Sequence, residues 1–114
     1  MTIYVDDAGV PATVGDPATG RRYRSRWCHL FSSEIDQTEL HAFAARIGLR
    51  RAWFQPGKRL GQPDEHDPVK DHYDLTAGKR RHAIAAGAIA VSTDQAVALW
   101  QTKRDAVGNR TTAP

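Results

Sequence analysis

Cysteine is almost missing from this chain. Cys28 is the one thiol in 114 residues, which excludes an internal disulfide and any zinc site built on several cysteines. Long apolar runs are missing too. The longest, Ala83 to Val91, is interrupted by Gly87 and falls far short of the ~20 residues that a membrane-spanning helix needs. No charged-then-apolar leader is read at the start, because Thr2-Ile3-Tyr4-Val5 has the look of a strand. The expectation is a cytoplasmic protein with no membrane partner. Several signatures are absent as well. There is no His-Glu-x-x-His and no Gly-x-Ser-x-Gly. Gly78-Lys79 does not close a phosphate loop, since Tyr73 stands five positions before Gly78 and Arg80 stands where Ser or Thr is required.

What is present suits one soluble domain: 40% hydrophobic and 25% charged residues. The net charge is +3. The basic residues cluster as Arg21, Arg22, Arg24 and Arg26, and again as Lys79, Arg80 and Arg81. Such clusters attract phosphate or form an ordinary solvated face.

Along the chain, residues 2–6 read as a first strand. The Gly- and Pro-containing stretch 8–22 reads as a loop. In 23–31, Tyr23, Trp27, His29 and Phe31 share one face at period two, giving a short strand expected at a sheet edge. Asp36 and Glu39 resemble the start of a helix, and Leu40, Phe43, Ala44 and Ile47 continue it on one face until Gly48. Residues 49–54 read as the next strand, and 56–70, rich in Pro, Gly and charge, as a loop. That loop precedes His72 and is either a flap over a site or a surface insertion. Thr76 caps a second helix over about 77–86. Residues 88–91 form another strand, and Thr93 or Asp94 caps a third helix to about 106, with Val97 and Trp100 facing the core.

The expected fold is α/β: a small open sheet with at least three parallel core strands (2–6, 49–54 and 88–92), flanking helices and a short edge strand. One domain is expected over 1–107, with a flexible C-terminal tail over 108–114.

In such a sheet, ligands bind where strands end and helices begin. Asp6 and Asp7 sit at one such end, and adjacent carboxylates suit a hard divalent cation such as Mg²⁺ or Mn²⁺. The plainer reading is a turn cap beside a solvated carboxylate. His72 and Asp74, two apart, point the same way in an extended segment. Asp74 then orients His72 as a base, both meet a metal, or Asp74 serves the backbone at the start of the helix. Lys79, in the first turn of the second helix, is placed to steady a phosphate. His29, Gln55 and Tyr73 are candidate substrate-binding residues.

Several segments carry a resemblance: Tyr4-Val5-Asp6-Asp7, Trp27-Cys28-His29-Leu30, His41-Ala42-Phe43-Ala44, Gly48-Leu49, Trp53-Phe54-Gln55, His72-Tyr73-Asp74-Leu75-Thr76, Lys79-Arg80, Ala83-Ile84 and Gly87-Ala88. Taken in order over about residues 2–92, the set resembles the small bacterial and phage proteins of the domain-of-unknown-function 4031 family. The segments 11–24 and 56–70 are longer than that family's pattern. The resemblance brings no established activity. It implies that Asp6, Asp7, His29, Gln55, His72, Tyr73, Asp74 and Lys79 belong to the part that defines the family.

Two functions are carried forward. One is a metal-dependent phosphodiesterase or nuclease-like hydrolase acting on a phosphate-containing substrate. Asp6 and Asp7 hold the cation, His72 and Asp74 act as base or further ligand, and Lys79 steadies the phosphate. The other is a non-catalytic nucleic-acid- or protein-binding module of phage or regulatory type, in which Arg21 to Arg26 and the exposed aromatics do the gripping.

Overall fold

In the computed structural model, which describes residues 2–15 and 19–112, a mixed α/β fold is built around a sheet of strand order β4-β7-β3-β1-β8. The strands are β1 (Ile3–Val5), β2 (Val10–Gly15), β3 (Arg22–Ser32), β4 (Phe54–Gln55), β5 (Lys58–Arg59), β6 (Gln62–His66), β7 (His72–Leu75) and β8 (Ile89–Ala90). The helices are α1 (Thr38–Arg46), α2 (Ala77–Ala85) and α3 (Thr93–Thr112).

The expected set of three parallel core strands is not what forms. Among the described residues, only β1 and β8 pair in parallel. β1 runs antiparallel to β3, β3 to β7, and β7 to β4. Half of the stretch read as the strand 49–54 is instead a 3-10 turn at Arg51–Trp53, which leaves the two residues of β4 at the rim. The reason lies in β3. Expected at an edge, it is the longest strand and occupies the middle of the sheet. Its C-terminal half is flanked by β1 and β7, so both neighbours run against it, and its N-terminal half pairs with β2 alone.

The sheet separates two environments by strand alternation. Val5, Cys28, Leu30, Tyr73 and Leu75 point to one side, where Leu40, Phe43 and Ala44 of α1 and Ala83 of α2 close the main core. Phe31, of opposite parity to Leu30, packs its ring edge-on against Trp100 of α3 with centroids 5.5 Å apart. The result is three layers, with α1 and α2 on one face and α3 on the other. Val97, expected in the core, is 60% exposed; Ala96 is the buried residue of that turn.

The starts of α2 and α3 follow side-chain chemistry, whereas the cap of α1 is Gln37, not the expected Asp36, and makes no side-chain cap bond. The Thr76 hydroxyl accepts the Lys79 N–H, as expected of a cap. For α3 the capping residue is Ser92. Its hydroxyl accepts the Gln95 N–H while the Gln95 side chain accepts the Ser92 N–H, a reciprocal capping box. The helix runs on to Thr112, past the expected end near residue 106. Residues 113–114 of the expected tail and 16–18 of the expected first loop lie outside the described residues.

The segment 56–70 is not structureless. It folds into the β5–β6 hairpin and a 3-10 turn, Pro68–Lys70, capped by Asp67. The buried Asp71 carboxylate ties it down by accepting from Gly57 N–H, from the Gln37 amide and from His66 Nε2. Asp67 is held in turn by Arg104 of α3. Gly57 is needed there, because a Cβ at that position would come within 2.1 Å of the Asp67 carbonyl oxygen. Likewise, the stretch 8–22 contains β2 rather than a continuous loop.

A candidate metal centre on the polar face of the sheet

The register of β3, β7 and β1 assembles a polar group on the face opposite the main core. His29 on β3 lies directly across from Asp74 on β7. His72, two residues before Asp74, shares its side of the strand. One potential ligand atom from each of His29, His72 and Asp74 lies within 4.8 Å of the others. The separations to Asp74 Oδ1 are 3.3 Å from His72 Nε2 and 4.0 Å from His29 Nε2. The two imidazole rings meet edge to face, with centroids 4.9 Å apart. All three residues are half-buried.

The hydrogen bonds on the far sides of the rings decide which nitrogens are free. His72 Nδ1 is 2.7 Å from the Lys70 carbonyl oxygen. A carbonyl can only accept, so the proton sits on Nδ1, and in the neutral ring Nε2 carries a lone pair. His29 Nδ1 lies 2.7 Å from Asp6 Oδ2. The ionised carboxylate accepts there too, which leaves His29 Nε2 with its lone pair whenever the ring is neutral. Both lone pairs turn toward the Asp74 carboxylate. Three electron-pair donors facing one another repel unless protons or a cation lie among them.

Asp6 clamps His29 on three points. Its Oδ1 accepts the His29 backbone N–H at 2.9 Å, its Oδ2 accepts the ring, and its own N–H donates to the His29 carbonyl oxygen. Its backbone carbonyl accepts Arg80 Nε at 2.8 Å, which ties α2 to the end of β1. Trp100 of α3 closes another side, its ring centroid 6.2 Å from that of His29. Burial pushes the Asp6 carboxyl up, but the bonds and charge of His29 outweigh it, and its pKa lies below the ordinary value. His29 is raised, chiefly by its hydrogen bond to Asp6, against the opposing effect of burial. Each partner therefore stabilises the charged form of the other.

Not every expected site residue joins this group. Asp6 and Asp7 do not form a chelate, because consecutive residues leaving a strand point to opposite sides. Asp7 Oδ1 instead takes both the N–H and the hydroxyl of Thr93, fastening β1 to the start of α3. Tyr73 lies on the core side, 1% exposed, with its hydroxyl 2.8 Å from His41 Nδ1. Lys79 Nζ donates to the Ile47 carbonyl oxygen at 2.6 Å, serving the end of α1. Gln55 is exposed and pairs with His72 across β4 and β7, at the rim of the group. Arg80 and Trp100 are neighbours that the sequence reading did not assign to the site. Arg80 stood out only as one of three basic residues opening α2, and Trp100 carried only the signal of an apolar stripe. Cys28 is buried on the core side, and burial chiefly pushes its thiol to a pKa of about 11, so it is inert there.

The family model described as "Protein of unknown function (DUF4031)" matches residues 3–103. The chain belongs to this family. The matched region takes in every residue of the polar group. No curated protein and no solved structure matches the chain.

Proposed function

We propose that this protein is a metal-dependent hydrolase acting on a phosphate-containing substrate, with its cation held by His29, His72 and Asp74. One observation carries the reading: both imidazoles spend their Nδ1 protons on acceptors behind them and turn Nε2 toward a carboxylate. That is the arrangement of metal-bound histidines, whose second nitrogen donates to a carboxylate or carbonyl that fixes the ring. Here Asp6 orients His29, and the Lys70 carbonyl orients His72. Ligand bonds of about 2.0–2.2 Å to one ion require only small side-chain rotations to draw the three atoms together.

Two nitrogens and one carboxylate favour a borderline cation such as Zn²⁺ or Mn²⁺ over Mg²⁺, which prefers oxygen throughout. Three protein ligands leave positions open, as catalytic sites require. A cation there supplies a Lewis acid and a bound water of lowered pKa. The protein's own contribution is positional. Asp6 holds His29 in one tautomer, and Trp100 shields one flank.

The test is to strip the protein with EDTA, titrate Zn²⁺ and Mn²⁺ by calorimetry, and assay hydrolysis of bis(p-nitrophenyl) phosphate with each ion. One ion per chain and metal-restored hydrolysis, both lost in His72→Ala, are expected. Binding without hydrolysis of any phosphoester would overturn the hydrolase, and absence of binding would overturn the metal.

A further inference from the structure

We infer that the open edge of β3 over residues 22–26 is a docking surface for an extended peptide in which acidic and apolar residues alternate. The peptide adds to the sheet as a further strand. The inference goes beyond the metal reading and holds with or without a cation.

One edge of this segment is taken and the other is open. β1 and β2 succeed each other along the same side of β3, and β7 lies on the opposite side. β7 pairs with Cys28, His29 and Leu30, and the chain then leaves the sheet at Thr76, the cap of α2. Among the described residues, 22–26 therefore have β2 on one side and no strand on the other. Alternation fixes which backbone groups face outward. The His29 N–H and carbonyl both turn to Asp6, at the end of β1. Odd-numbered residues of β3 thus face β1 and β2, and the N–H and carbonyl groups of Arg22, Arg24 and Arg26 face the open edge. Such a ladder is matched by another extended backbone, which a nucleic acid does not offer. The outer edge of β2 is different. Pro11 stands opposite Arg26 in register, so its missing N–H falls on that outer edge and blunts it.

Side chains set the sequence of the added strand. Arg22, Arg24 and Arg26 are exposed on the face of Cys28 and Leu30, spaced about 7 Å apart. Among the described residues none of them forms an ion pair. Tyr23, 39% exposed, and Trp27, half-buried, stand on the opposite face. A neighbouring strand alternates in the same way, so its side chains meet the arginines and the rings in turn. Acidic residues answer the arginines, and apolar residues answer the rings. The same charges exclude a second copy of this chain as the occupant. Two such edges meeting antiparallel pair even-numbered residues with one another, which sets arginine against arginine.

The experiment combines fluorescence anisotropy of a labelled peptide alternating glutamate and valine with amide hydrogen exchange read by NMR, both in EDTA. The wild type is expected to bind the peptide. At saturation, exchange at the Arg22, Arg24 and Arg26 amides should slow roughly tenfold or more, while the Tyr23 and Ser25 amides, which already face β2, change little. A peptide of the same composition with its glutamates in one block should bind roughly tenfold more weakly or worse, and so should one N-methylated at its glutamates. Arg24→Ala should weaken binding about threefold. The triple variant Arg22→Glu, Arg24→Glu, Arg26→Glu should lose the glutamate–valine peptide and gain a lysine–valine one. Because these side chains are exposed, circular dichroism should show unchanged folding. Absence of binding by the wild type, equal affinity for the block peptide or for single-stranded DNA, or binding that leaves the three arginine amides unprotected would each overturn the inference.

Discussion

Tyr73 and His72 are adjacent in sequence and belong to opposite sides of the same strand. Tyr73 is sealed into the core, gives its hydroxyl to His41, and stacks near Phe54. His72 stands on the other side with Asp74 and, across the ladder, His29. The same division runs along β3, where Leu30 is fully buried and His29 is half-exposed. A single pair of antiparallel strands thus supplies the chain's stability on one face and its chemistry on the other. The difference teaches that site and core are coupled through register alone. A slip of one residue would bury the imidazoles and expose the core.

Substitutions on the two faces should therefore separate stability from metal binding. Leu30→Ala, on the core face, is expected to cost about 2–5 kcal/mol of stability, read as a lowered urea midpoint. His72→Ala, on the polar face, should change stability by less than about 1 kcal/mol while abolishing measurable Zn²⁺ binding by calorimetry. If both substitutions unfold the chain alike, the division between faces does not hold. Asp6→Asn is the intermediate case. It keeps the shape but weakens the hold on the His29 ring, so metal affinity should fall about 10–100-fold.

The pH response sharpens the same contrast through the Asp6–His29 pair of the polar face. His29 has a raised pKa, so its contribution to metal-free stability is present in full below about 6.5 and is lost as pH rises through the folded value. Asp6 has a lowered pKa, so its contribution is present above about 3.9 and is lost as pH falls through the folded value. Urea unfolding in EDTA should show metal-free stability declining on both sides of that range. Metal affinity should move the other way on the alkaline side, rising as His29 loses the proton that competes for Nε2. The smallest effect is expected from Asp7→Ala. Removing the acceptor for Thr93 should cost about 1 kcal/mol, a drop of a few degrees in Tm, with metal affinity unchanged.

Much of this arrangement could be read from local pattern. The two-residue spacing of His72 and Asp74 announces a shared face in any extended segment. The parity of Trp27, His29 and Phe31 announces another; Thr76 marks a helix start by its hydroxyl, and Gly48 a helix end by its left-handed backbone. The meeting of His29 with Asp74 was not legible, because cross-strand partners are chosen by register between distant segments. β3 passes for an edge strand because its first half is charged and exposed, yet its second half is the buried centre of the sheet. The parallel core was inferred from helices feeding strands, and that pattern does not reveal that β3 inserts between β1 and β7. Asp6 and Asp7 mislead as a pair since adjacency along a strand means opposite directions. Asp6 proved to be the residue behind the imidazole, and Asp7 an anchor for α3.

The central claim is that His29, His72 and Asp74 converge on one cation while Asp6 stands behind them. Calorimetric titration of Zn²⁺ into EDTA-stripped protein, repeated in buffers of different ionisation enthalpy, tests it most directly. The account predicts one ion per chain with release of the His29 proton at pH 6.5, and loss of binding in Asp74→Ala with Asp7→Ala unaffected. No heat of binding in the folded wild type, or binding that survives Asp74→Ala intact, would contradict it.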